Sequence, residues 1–90
     1  MTKEQNAVEY IRTIVTPLCK KPEAVEIKSH VDDGGLGIVV NVLASDEDLP
    51  LLIGNQGVMA RSIRKILSGW CDLNMARVIM HIGKPFEPMT

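Results

Sequence analysis

The spacing of hydrophobic residues changes three times along this chain of 90 residues, and that change constrains the fold more than any single residue does. Near the N-terminus Ala7, Ile11, Ile14 and Leu18, with Val8 and Val15 beside them, recur at the period of a helix. Thr2 followed by Gln5 supplies the residues of a capping box, in which two backbone donors at a helix start are satisfied reciprocally. Pro17 lacks a backbone N–H and clashes with the preceding turn, so the helix is expected to kink or end near Thr16, and Lys20-Lys21-Pro22 closes the segment. From Ala24 the period is two. Val25, Ile27 and Val31 alternate with Glu26, Lys28 and His30, the pattern of a strand with one buried face. Asp32-Asp33-Gly34-Gly35 reads as a turn, because glycine reaches the positive φ of tight hairpins. Ile38–Leu43 is a second strand, apolar on nearly both faces and therefore expected at the centre of the sheet.

Helical spacing then returns. Ser45 with Asp48 reads as the cap of a short helix, Leu49-Pro50-Leu51-Leu52-Ile53, that ends at Gly54. A longer helix starts after Gly57, with Met59, Ile63, Ile66, Leu67 and Trp70 on one face and Arg61, Arg64, Lys65 and Ser68 on the other. Beyond a connection at Cys71-Asp72-Leu73-Asn74, Arg77 to Ile82 reads as a third strand. The order is helix–strand–strand–helix–GxxG–helix–strand, and three helices on one face of a small sheet make a two-layer α+β sandwich. One domain is expected over residues 1–83, with residues 84–90, which hold Pro85 and Pro88, as a loosely ordered tail.

Charge is distributed unevenly. The whole chain carries −1, which does not advertise a polyanionic partner. Residues 1–50 hold five Lys/Arg against nine Asp/Glu, whereas residues 51–90 hold five against two. No acid falls between Asp48 and Asp72, while Arg61, Arg64 and Lys65 all do. Tyr10, Trp70 and Phe86 are the only aromatic residues, so the core must be aliphatic and no platform of stacked rings is available for bases. Cys19 and Cys71 stand alone, and no signal segment or membrane-length apolar run is visible, so a reduced, cytoplasmic setting is expected.

Gly54-Asn55-Gln56-Gly57, between two helices, is the chemical centre of the sequence. Glycine has no Cβ, so a phosphate can reach the backbone N–H groups directly. The helix that begins there presents free N–H groups and a positive dipole end, both of which favour an anion. Arg61 and Lys65, one turn apart, extend the positive field. The tetrapeptide alone is a weak signal, since a helix–turn–helix joint built on two glycines accounts for it equally well. The longer stretch Ile53-Gly54-Asn55-Gln56-Gly57 followed by Ala60-Arg61-Ser62-Ile63-Arg64 is far more specific. It closely resembles the I-G-x-x-G-x-x-A-R-x-I-R stretch of bacterial KH domains, and the whole chain is similar to the small single-KH proteins of the KhpA family, from Val8 to Ile82.

That resemblance implies a type II KH fold, with a mixed three-stranded sheet whose second strand is central, antiparallel to the first and parallel to the third. It implies binding of about four single-stranded RNA nucleotides in a groove beside the glycine loop, in the role of a post-transcriptional regulator or RNA chaperone. The RNA-binding residues it implies are Ile53, Gly54, Asn55, Gln56, Gly57, Val58, Arg61, Arg64 and Lys65. It implies a homodimer or a heterodimer with a larger KH-containing Jag-type protein, no cofactor and no catalysis. The chain also departs from the family pattern. Lys or Arg is usual at the place of Asn55, and basic residues are frequent at the places of Leu51 and Val58; all three are uncharged here. Each missing phosphate contact weakens binding and lowers its salt dependence. A second functional class therefore stands beside the first: a KH-fold protein-interaction module with weak or lost RNA binding. Val39 and Leu43, on the strand face away from Val40 and Val42, would suit a dimer contact.

Other constellations carry less. His30 and His81 lie on different strands with no Cys/His/Asp cluster at ligand spacing. Asp46-Glu47-Asp48 sits at a helix N-terminus, where acids complement the macrodipole, so a cap accounts for it better than a carboxylate pair does. The phosphate-loop pattern GxxxxGK[ST] is absent.

Overall fold

The computed structural model describes residues 2–32, 34 and 37–84. Helix α1 (Lys3–Val15) opens with the expected capping box: the Thr2 hydroxyl accepts from the Gln5 N–H, and the Gln5 side chain accepts from the Thr2 N–H. It ends one residue before Thr16, where Pro17 tightens the chain into a 3-10 turn over Thr16–Leu18. Strand β1 (Glu26–Val31) pairs antiparallel with β2 (Ile38–Leu43), and β2 pairs parallel with β3 (Val78–Gly83), which leaves β2 central. The short α2 (Leu49–Ile53) and the long α3 (Val58–Asn74) form the crossover between β2 and β3. The element order matches the sequence pattern, and the mixed sheet is the one that the resemblance implies.

The helices cover one face of the sheet. Ala7, Ile11 and Val15 of α1, Leu52 of α2, and Ala60, Ile63 and Leu67 of α3 are buried against Ile38, Val40 and Val42 of β2 and Met80 of β3. Tyr10 and Trp70 stack between α1 and α3 with ring centroids 5.8 Å apart. The core is aliphatic, as the scarcity of aromatics requires.

Three local expectations need correction. Ile66, placed on the apolar face of the long helix, is 49% exposed. Ala60 is buried instead, because the stripe that meets the sheet is centred on Ile63 and Leu67, and Ile66 falls outside its flank. Cys71–Asn74 are not a connection but the last turn of α3. The helix stops at Met75, which takes the left-handed conformation (φ 51°) while its N–H bonds to the Cys71 carbonyl. Strand β3 then begins at Val78, one residue later than expected. Of the expected turn at residues 32–35, Asp33 and Gly35 lie outside the described residues, as do residues 85–90 of the expected tail. Asp32 is described: its carboxylate accepts from the Gly37 N–H, and its own N–H donates to the Gly37 carbonyl, which closes the base of the connection.

Candidate nucleic-acid interface

The joint between α2 and α3 is a single 3-10 turn over Asn55–Gly57. Gly54 enters it at φ 78°, ψ 173°, a conformation in essence restricted to glycine. A Cβ there would stand 2.6 Å from the Met59 backbone nitrogen, so Gly54 is needed for both its conformation and its close approach to α3. Gln56 and Gly57 follow in the left-handed region, at φ 55° and 77°. Two amides are taken up within the turn: Gly54 N–H bonds to Pro50 and Gly57 N–H to the Gly54 carbonyl. The N–H groups of Asn55 and Gln56 have no backbone partner among the described residues. Both side chains are exposed, and Gly54 and Gly57 are half-buried. The joint therefore presents unpaired donors to solvent at the start of a 17-residue helix.

The expected basic residues divide by what they touch. All three are exposed. Arg61 turns back onto the joint, where its Nη1 donates to the Gln56 carbonyl at 2.7 Å, bracing the left-handed residue. Arg64 points away from the joint, and its Nη2 reaches the Met80 carbonyl of β3 at 3.4 Å. Lys65 follows Arg61 by one turn on the exposed face of α3. Ile53 and Val58, flanking the glycines, are exposed, Val58 at 52%.

Beside Arg64 runs a concavity of about 380 Å³ between α3 and β3, with Leu67, Cys71, Val78 and Met80 in its wall and Arg64 and Arg77 as its charged groups. Sequence reasoning did not single out Arg77, and it gave Met80 only as core packing, which its burial bears out. The wall is an open strand edge. Because Ile38 N–H donates to the Arg77 carbonyl and Ala44 N–H to that of Gly83, residues 77, 79, 81 and 83 turn their backbone groups toward β2. Val78, Met80 and Ile82 turn theirs outward. A larger concavity, about 770 Å³, lies at the far end of the fold between Thr2, Glu4, Val31 and Met75, away from the glycine joint.

The three acids before α2 are engaged in different ways, and the macrodipole account holds least well for Asp48. Asp46 pairs with Lys84 at 3.2 Å and Glu47 with Lys21 at 3.3 Å. Asp48 occupies the N-cap position of α2, yet its side chain makes no cap bond. It is completely buried, and its two oxygens accept from the backbone N–H groups of Lys20 and Lys21 at 2.7 and 2.9 Å. Burial alone would raise its pKa. The two amide bonds, the Ser45 hydroxyl and the Lys21 charge outweigh that and hold the carboxyl below its usual 3.8. Cys19, nearby, is pushed up by burial and then by the Asp48 charge, which keeps its thiol protonated and unreactive.

His30 and His81 sit on the sheet face turned away from the helices, with Lys28, Val39, Asn41, Leu43 and Ile79. Val39 and Leu43 are half-buried there, and the charged and polar neighbours break the apolar surface. No group of three or more His, Cys, Asp or Glu residues able to hold a metal occurs among the described residues. No described helix is long and apolar enough to cross a membrane.

The chain is similar to known proteins over almost all of its length. The family model described as the KH domain of KhpA/KhpB matches residues 8–82. The RNA-binding protein KhpA of Caldanaerobacter subterraneus subsp. tengcongensis is 31% identical over 74 residues, which cover 82% of this chain and 96% of that protein. The RNA-binding protein KhpA of Borreliella burgdorferi is 30% identical over 82 residues, 91% of this chain and 98% of that one. Among solved structures, Era in complex with MgGDPNP and nucleotides 1506-1542 of 16S ribosomal RNA superposes with a TM-score of 0.62 at 18% identity, over 93% of this chain. A GDP- and aluminium-fluoride-bound Era from Aquifex aeolicus superposes equally well, at 19% identity. This chain spans about a third of either Era chain, so the likeness concerns one domain's fold, the KH fold. Matched by the family model from residue 8 to residue 82, and by two full-length relatives at 30% identity or above, the chain belongs to the KhpA/KhpB KH-domain family.

Proposed function

We propose that this protein binds single-stranded RNA, about four nucleotides at a time, with the sugar-phosphate backbone on the Gly54–Gly57 joint and the bases in the groove between α3 and β3. The observation that carries the reading is the pairing of two features: unpaired amides at Asn55 and Gln56, and an open strand edge a short distance along the same helix. Ile53, Gly54, Asn55, Gln56, Gly57 and Val58 form the grip. Lys65 adds charge, and Arg61 chiefly holds the joint in shape. The family membership and the names of the two relatives support an RNA ligand over other polyanions. A binding protein without catalysis, acting in the cytoplasm as a post-transcriptional regulator or RNA chaperone, follows from the same reading.

The test puts negative charge where the phosphate would sit. Asn55→Asp with Gln56→Asp leaves both glycines intact and is expected to weaken binding of a labelled single-stranded oligonucleotide by roughly tenfold or more, read by fluorescence anisotropy. Thermal melts establish that the variant is folded. Equal binding by the variant and the unmodified chain would remove the joint from the interface.

One observation favours a second reading. Leu51, Ile53, Val58 and Ile66 are all exposed around the joint and along α3, where charge would serve RNA better. A protein-interaction module would use that surface for a second copy or for a larger KH-containing Jag-type protein. Sedimentation of the double-acid variant separates the two readings. Association that persists while RNA binding is lost assigns the apolar surface to protein.

A further inference from the structure

We propose that the outer edge of β1 is a docking site for a second protein, which adds an extended, lysine- or arginine-rich segment to the sheet as a further antiparallel strand. The proposal stands apart from the RNA-binding reading. It starts from the backbone. Ile38 and Ala44 bond to Arg77 and Gly83, so the even-numbered residues of β2 turn their N–H and C=O groups toward β3, and Val39, Asn41 and Leu43 turn theirs toward β1. Their partners on β1 are His30, Lys28 and Glu26. Ile27, Ser29 and Val31 therefore turn their backbone groups outward, and none of these groups has a hydrogen-bond partner among the described residues.

Exposed edges are commonly blunted by a proline, a bulge or a charge held over the edge. Strand β1 has no proline, and its six residues pair one to one with β2 without a bulge. Its charged side chains, Glu26 and Lys28, lie on the sheet face turned away from the helices. Another strand can therefore reach the edge. Such a strand contributes its main-chain bonds whatever its sequence, so the side chains around the edge decide which segment is accepted.

Those side chains are acidic. A groove of about 540 Å³ runs between the start of α1 and β1, lined by Glu4, Val8, Glu9 and Ser29, and no Lys or Arg is among its described lining residues. The Ser29 hydroxyl donates to Glu4 Oε2 at 2.6 Å, which fixes that carboxylate beside the edge. Glu4 is in no ion pair among the described residues, and Glu9 meets only Arg12, at 3.8 Å in an exposed pair that is worth little. The groove at the opposite edge, between α3 and β3, has the reverse balance, with Arg64 and Arg77 and no acid among its described lining residues. The two edges of one sheet thus attract opposite charges. The same charge excludes other occupants of β1. RNA is repelled, and two copies of this chain paired through β1 about a two-fold axis at Ser29 would set Glu4 against its own counterpart. In an antiparallel addition, the residues opposite Ile27, Ser29 and Val31 point their side chains toward the helix layer, so the partner's basic residues fall at every second position.

The probe is a labelled peptide of about eight residues in which lysine alternates with threonine, and its control carries glutamate in place of lysine. Fluorescence anisotropy at low salt is expected to show the lysine peptide binding about tenfold more tightly than the control, with the difference shrinking at high salt. N-methylation at the lysines removes the N–H groups that face β1 and should abolish binding, whereas N-methylation at the threonines should leave it unchanged. Amide hydrogen exchange, followed by NMR, should slow at Ile27, Ser29 and Val31 when the peptide is added. Glu4→Gln with Glu9→Gln keeps an acceptor for Ser29 and should bring the lysine peptide level with the control, with thermal melts to establish that the variant is folded. The Asn55→Asp/Gln56→Asp variant should bind the peptide as the unmodified chain does, whatever becomes of RNA. Equal binding of the two peptides, any other N-methylation pattern, or slowed exchange at Val78, Met80 and Ile82 instead would overturn the proposal. A folded Glu4→Gln/Glu9→Gln variant that keeps the preference would overturn it too. So would sedimentation as a dimer with the amides of Ile27, Ser29 and Val31 protected before any peptide is added, which gives the edge to a second copy.

Discussion

Two short connections in this molecule gather backbone N–H groups, and they treat them in opposite ways. Between α1 and β1, the amides of Lys20 and Lys21 converge on an anion that the chain provides itself, the buried carboxylate of Asp48. Between α2 and α3, the amides of Asn55 and Gln56 converge on nothing within the described residues. The first is closed by a side chain 27 and 28 residues away in sequence and contributes to stability. The second is held open by glycine geometry and by Arg61, which braces a carbonyl and leaves the amides free. The same backbone chemistry becomes structural where an internal anion fills it and available for a ligand where none does.

The largest expected effect breaks the closed connection. Asp48→Ala leaves two backbone donors unpaired beneath the surface and removes a fully buried side chain, so it should lower the melting temperature more than any change at the open joint. Should Asp48→Ala melt with the unmodified chain, the carboxylate does not hold the connection. Next comes Gly54→Ala. It combines a positive φ with a Cβ 2.6 Å from the Met59 nitrogen and is expected to cost about 2 kcal/mol or more in denaturant unfolding, with RNA binding lost in the folded fraction.

A pH titration sharpens the contrast. The Asp48 carboxyl is held below 3.8 in the folded chain, so its stabilisation is complete above the unfolded pKa. It is lost as pH falls through the lower folded value. Melting temperature should therefore fall more steeply below about pH 4 in the unmodified chain than in Asp48→Asn, and the gap between the two should narrow with acid. Parallel curves would contradict a lowered pKa. The smallest effect belongs to Asn55→Lys, which adds one cation at the open joint. It should strengthen RNA binding severalfold and steepen the dependence of log affinity on log salt by roughly 0.7, the increment for one single-strand phosphate contact. A slope unchanged from that of the unmodified chain would place Asn55 outside the path of the phosphate backbone.

The open joint was legible in the sequence and the closed one was not, for a physical reason. Thr2 with Gln5, Pro17, the alternation of Val25 and Ile27, and Gly54 with Gly57 all act on neighbours within a few residues, where spacing alone carries the information. Asp48 acts across the fold. From its neighbours it looks like a helix cap, and only the folded chain brings Lys20 and Lys21 to its oxygens. The contact of Arg64 with the Met80 carbonyl was hidden for the same reason: helical spacing places Arg64 on a polar face, but which strand it reaches depends on how α3 lies across the sheet. Helix α3 outran its expected end because no glycine or proline marks it. Met75 accepts a left-handed φ that its side-chain type rarely adopts.

The parallel pairing of β2 with β3 also bears on how the chain reaches this structure. Partners across β1 and β2 are separated by 7 to 17 residues, whereas every partner pair across β2 and β3 is 40 residues apart. Closing the longer loop costs about 1 kcal/mol more in chain entropy than closing the shorter one, and the return comes only once β3 arrives. Between them lies the helix–joint–helix crossover, which shortens the effective chain as α2 and α3 form. The bend at Gly54 lies within that crossover, so the segment that would hold RNA is also part of the connection that must close before β3 can pair with β2.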